Sequence, residues 1–104
     1  MKKPIIVCLC GSTRFSQAFR DANLRETLAG KIVLSIGCDF KSDDALGLNE
    51  YDKKRLDELH LRKIDLADEV LILNVDGYIG ESTQRELTYA WDKRKTVIFL
   101  EPCP

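Results

Sequence analysis

Short, continuous apolar runs alternate with longer amphipathic stretches along this chain. Ile5 to Leu9 is bounded by Pro4 and Gly11 and is partly β-branched, the pattern of a strand buried on both faces. Ile32-Val33-Leu34, Val70-Leu71-Ile72-Leu73 and Thr96 to Leu100 repeat that character. Between them the apolar positions take a helical period. Phe15, Ala18, Phe19, Ala22 and Leu28 fall near one face of a helix over about Arg14 to Ala29, stopped by Gly30. Leu56, Leu59, Lys63, Ile64 and Ala67 mark a second helix from Glu50 to Leu66, with the Lys63 ammonium snorkelling at its edge. Thr83, Leu87, Ala90, Trp91 and Arg94 mark a third from Ser82 to Lys93. Strand–helix alternation with short links predicts a small doubly wound α/β fold of the flavodoxin or Rossmann type. Four parallel strands in the order 2-1-3-4 follow from right-handed crossovers. The one long irregular stretch, Gly37 to Asn49, carries Asp39, Asp43, Asp44 and Gly47 and reads as a lid or a plain surface loop.

In an open parallel sheet, ligands bind beyond the carboxyl ends of the strands, where the order reverses. For 2-1-3-4 that crevice lies between the first and third strands. Gly11-Ser12-Thr13-Arg14 follows the first of these, and Asn74 to Ser82 follows the third. The former offers a close backbone approach, hydroxyls, helix-start amides and a forked cation, all suited to a phosphate. It equally suits a turn with Ser12 or Thr13 as helix cap. In the latter, Gly77 and Gly80 permit a tight loop and Ser82 or Thr83 can cap the next helix. Glu86 then falls about one turn in, on the same side as Ser82 and Ala90. The helix dipole there favours an ionised carboxylate, the form a nucleophile needs. Thr83-Gln84-Arg85-Glu86 also has the spacing of a capping box, in which the glutamate only bonds back to the cap.

Composition narrows the choices. The chain has 104 residues, room for one domain spanning 1–104, with 44% hydrophobic and 32% charged residues. A net charge of -1 argues against a protein that coats a nucleic acid polymer, which needs a concentrated positive field. The apolar run after Met1-Lys2-Lys3 is too short for a signal peptide, and no stretch has the length of a membrane span. Cys8, Cys10, Cys38 and Cys103 therefore suggest a reduced, cytoplasmic protein. Cys8 and Cys10 share one strand face and read as small hydrophobes. A C-x-C metal site is the sharper alternative, but no histidine or second cysteine pair has metal-ligand spacing to them, so none is expected. His60, the single histidine, lies beside the apolar side of its helix. It reads either as a structural residue or as a group that protonates a leaving group or orients substrate, with Asp57 to support its charged form.

Three segments together carry a resemblance. Cys10-Gly11-Ser12-Thr13-Arg14, Ala67-Asp68-Glu69-Val70 and Ser82-Thr83-Gln84-Arg85-Glu86-Leu87-Thr88-Tyr89-Ala90 resemble the nucleoside 2-deoxyribosyltransferase superfamily, which includes nucleoside monophosphate N-glycosidases. The resemblance implies cleavage or transfer at the N-glycosidic bond of a deoxynucleoside or nucleoside monophosphate, with Glu86 attacking the anomeric carbon. It implies sugar or phosphate contacts from Gly11, Ser12, Thr13, Arg14, Gly80 and Ser82, no cofactor, and sites completed across subunits of a homo-oligomer. Two departures stand out. Members often have a tyrosine near the end of the first strand, where Cys8, Leu9 and Cys10 stand here. An acidic residue commonly sits on the second helix, and His60 falls near its place. A non-catalytic nucleotide-binding or sensing module of the same fold is the other reading of these residues.

Overall fold

The computed structural model describes residues 3–36 and 47–102. Its strands are β1 (Ile6–Cys10), β2 (Ile32–Leu34), β3 (Glu69–Ile72) and β4 (Thr96–Phe99); its helices are α1 (Ser16–Leu28), α2 (Glu50–Leu66) and α3 (Glu81–Asp92). The strands form one parallel sheet in the order β2-β1-β3-β4, as the alternation predicts. Asp39, Asp43 and Asp44 of the expected lid, with Cys38 and Cys103, lie outside the described residues. Asn49, at the end of that stretch, is a helix cap: its side chain accepts from Asp52 N–H at 2.8 Å and completes a capping box for α2.

Alternation along β1 sorts the core into two layers. Val7 and Leu9 pack with Phe19 and Ala22 of α1 and with Leu71 and Leu73. Cys8 and Cys10 face the other way, onto Ile64 of α2 and onto Leu87 and Ala90 of α3. The pairing of Cys8 with Val70 and Cys10 with Ile72 keeps both layers continuous across the two central strands. Burying each of these aliphatic side chains stabilises the fold by about 1.5–3 kcal/mol. Polar ties close the sheet ends. Asp68 accepts from Ile6 N–H at 2.8 Å, and Lys31 bridges Glu69 at 2.6 Å and Glu26 at 3.1 Å.

The apolar face expected of α2 is buried only toward its C-terminal end, at Ile64 and Ala67. Leu56 and Leu59 are 41% and 50% exposed, whereas His60 and Ile64 point into the core with Leu61 beside them. Length explains the difference. Seventeen helical residues extend about 25 Å, while a five-residue strand covers about 16 Å, so the first half of α2 overshoots the sheet. Leu28 and Trp91, also expected inside, are exposed near the ends of their helices.

Candidate functional site

The two loops expected to carry chemistry do meet at the carboxyl ends of β1 and β3. After β1, Phe15 N–H donates to Ser12 C=O at 3.0 Å in a tight turn, and Ser12 Oγ accepts from Arg14 N–H at 3.3 Å. The hydroxyl therefore serves the turn and does not cap α1. That helix starts two residues later than its sequence suggests, with Phe15 at its N-cap and no side-chain bond to its first amides among the described residues. Gly11 is needed for packing: a Cβ there would stand 3.0 Å from Leu73 Cβ and 3.3 Å from Leu73 C=O. Thr13 and Arg14 are exposed. The Arg14 guanidinium lies 4.4 Å over the Tyr78 ring, which meets Phe15 edge-on, so the two loops touch through an aromatic bridge.

After β3 the chain turns through Val75–Gly77, where Asp76 (φ 54°) and Gly77 (φ 80°) are both left-handed. The turn is pinned from the next strand. Asn74 and Glu101 exchange amide bonds of 3.0 and 2.9 Å, and Glu101 Oε2 accepts from Asp76 N–H at 2.8 Å. Gly80, packed against the Tyr78 hydroxyl, is the N-cap of α3. This shifts the helix start ahead of Ser82. Thr83 becomes a buried helical residue, so Thr83 to Glu86 does not form the capping box its spacing allows. Glu86 consequently lies in the second turn, where the helix dipole does little for it.

Glu86 is half-buried and lines a cavity of about 130 Å³ together with Asp57, Leu61, Ser82, Arg85 and Tyr89. One wall is braced by polar bonds between α2 and α3. Tyr89 Oη donates to Asp65 at 2.7 Å and accepts from Arg62 at 2.9 Å, while Arg62 also pairs with Asp65 at 2.9 Å. A larger, open groove of about 310 Å³ along the outside of α3 is lined by Gln84, Arg85, Thr88, Tyr89 and Asp92, and none of the buried ionisable groups borders it.

Behind Glu86 lies a feature that sequence spacing did not reveal. His60, 7% exposed, directs Nε2 between two buried thiols, 3.7 Å from Cys8 Sγ and 3.3 Å from Cys10 Sγ. Cys8 and Cys10 are thus more than small hydrophobes. Burial raises the Glu86 carboxyl above its ordinary value, opposed by the His60 charge and by Cys10. For His60, burial disfavours protonation, but the bond to Cys8 and the Glu86 charge outweigh it and the imidazole is raised. The Cys8 thiol is lowered to about 6, first by Cys10 and, against burial, by His60. Cys10 is raised in turn by Cys8 and by burial. The protonation of each of these four groups therefore depends on the others. Asp57 is felt at Glu86, whose carboxyl it helps raise.

Of the residues expected at the site, Glu86 and Ser82 share the cavity; His60 lies against the thiols, and Gly11 to Arg14 and Gly80 do not line it. Asp57, Leu61, Arg85 and Tyr89 line the cavity as well. No protein-family model and no curated protein matches this chain.

Proposed function

We propose that the chain cleaves or transfers the N-glycosidic bond of a deoxynucleoside or nucleoside monophosphate, with Glu86 as the nucleophile. The observation that carries this reading is that Glu86 lines a cavity between α2 and α3 instead of capping its own helix. The likeness of Cys10 to Arg14 and of Ser82 to Ala90 to the nucleoside 2-deoxyribosyltransferase superfamily supplies the reaction class.

In this scheme the carboxylate bonds to the anomeric carbon as the C–N bond breaks, and the base leaves with a proton. Asp57, on the cavity wall, delivers or relays that proton. Water or a second base then attacks the same carbon and frees Glu86. A carboxylate with little hydration stabilises the developing oxocarbenium charge more strongly than one in water. His60 touches thiols rather than the cavity, so it acts as a positioning residue that holds charge beside Glu86. A substrate phosphate fits the first-turn amides of α1 and the Arg14 guanidinium, where Phe15 supplies no competing cap. The cavity of about 130 Å³ is smaller than sites that enclose drug-sized ligands, roughly 300–1,000 Å³, so a second copy of the chain supplies further walls. Trp91, 53% exposed, offers apolar area for that contact.

The test is incubation with a panel of deoxynucleosides and their monophosphates, following free base by chromatography. Release that is lost in Glu86→Gln, with an unchanged circular dichroism spectrum, supports the scheme. Saturable nucleotide binding without release from any substrate replaces it with a binding module, and neither binding nor release removes the nucleotide altogether.

A further inference from the structure

The thiols and the imidazole behind Glu86 have the geometry of a metal site. Cys8 and Cys10 project from the same face of β1 because they are two residues apart, and α2, packed on that face, brings His60 onto them. The Cys8 Sγ, Cys10 Sγ and His60 Nε2 atoms all lie within 4.8 Å of one another. A tetrahedral zinc ion, with bonds of about 2.3 Å to sulfur and about 2.0 Å to nitrogen, sets ligand edges near 3.5 Å for sulfur–nitrogen and near 3.8 Å for sulfur–sulfur. The observed sulfur–nitrogen separations, 3.3 and 3.7 Å, bracket the first of these. All three ligands are at least nine-tenths buried and are fixed by core packing, so binding an ion orders nothing new. Soft thiolates with one imidazole favour zinc over hard cations. The Glu86 charge is felt at both Cys10 and His60, but its carboxylate is not part of the cluster.

We propose that Cys8, Cys10 and His60 bind one zinc ion, with a water molecule as fourth ligand. Each thiol loses its proton to solvent as its sulfur–metal bond forms, the imidazole binds through neutral Nε2, and no electron changes hands. The ion reaches the ligands through the cavity in front of Glu86. This inference does not rest on the glycosidic reading, since it requires only that the three side chains can close on an ion.

The experiment is titration of the full chain with Co²⁺ as a spectroscopic substitute, followed by displacement with Zn²⁺. The Cys38→Ser/Cys103→Ser double variant serves as background, so that only Cys8 and Cys10 remain as thiols. One equivalent of Co²⁺ is expected to give sulfur-to-metal charge transfer and the intense visible bands of a tetrahedral thiolate site, both abolished by one equivalent of Zn²⁺. His60→Gln is expected to weaken Co²⁺ binding by at least about tenfold. Native mass spectrometry of the same double variant, which needs no core substitution, is expected to show one zinc per chain. A double variant that retains no zinc, or bands that vanish with Cys38 and Cys103, would overturn the proposal and leave a hydrogen-bonded thiol–imidazole cluster.

Discussion

Gly11→Ala isolates what the first loop owes to packing. The glycine follows β1 where Leu73 N–H donates to Cys10 C=O at 2.8 Å, so its Cα is drawn against the end of β3. The added methyl would meet Leu73 Cβ at 3.0 Å and the Leu73 carbonyl at 3.3 Å, with the Phe19 ring at 3.6 Å. Neither close atom is the free end of a flexible chain: one is fixed to the backbone and the other belongs to it. Relief requires the strand ends to part, an overpacking cost of about 1–3 kcal/mol. Alanine restricts the unfolded chain and returns about 0.4–1 kcal/mol, so a net loss of about 1–2 kcal/mol remains. For a domain of this size that lowers the melting temperature by roughly 5–15 °C. Thermal and urea unfolding without ligand measure it. A variant that melts within about 2 °C of the parent refutes the packing account, and the glycine must then be explained by what binds beside it. Gly77→Ala is the counterpart, because its methyl meets nothing within 4 Å and the cost, about 1 kcal/mol, comes only from φ +80°.

Other changes test separate parts of the structure. Asn74→Ala leaves both Glu101 main-chain groups without their partner and should destabilise by about 2–3 kcal/mol in urea unfolding. Glu86→Gln should keep its fold, since Gly80 and not Glu86 ends the helix, while releasing no base in the chromatographic assay. The Asp65 carboxyl is lowered chiefly by the Tyr89 hydroxyl, with Arg62 adding to it. Its stabilising effect is therefore present above the ordinary value of 3.8 and is lost as pH falls through the depressed folded value. In Tyr89→Phe, an NMR titration of Asp65 should move back up toward 3.8; an unmoved midpoint refutes the assignment to Tyr89. Sedimentation should report an oligomer that Trp91→Glu dissociates.

The fold was legible because its strands are apolar on both sides. Val7, Cys8, Leu9 and Cys10 have no polar face to hide, and that continuity distinguishes a central parallel strand. Periodicity served less well where tertiary length decided: Leu56 and Leu59 continue the apolar stripe of α2, but no sheet lies beneath them. Capping was misread for a different reason. Ser12, Ser82 and Thr83 are good caps by chemistry, yet Phe15 and Gly80 occupy the boundaries because backbone turns, held by Tyr78 and Asn74, fix where each helix begins. At the site, Glu86 and Ser82 were visible by their spacing on one helix. The contact of His60 with Cys8 and Cys10 was not, since it joins positions about fifty residues apart through a crossover.

The alternation along β1 has a mechanical corollary. In a parallel ladder, a shift by a single residue turns every side chain to the opposite surface. Here such a slip would carry both sulfurs under α1 and present Val7 and Leu9 to His60, leaving the imidazole against hydrocarbon. The thiol–imidazole contact thus acts as a key for one alignment of the central strands, and misaligned chains would betray themselves by thiols that no longer lie beside a histidine.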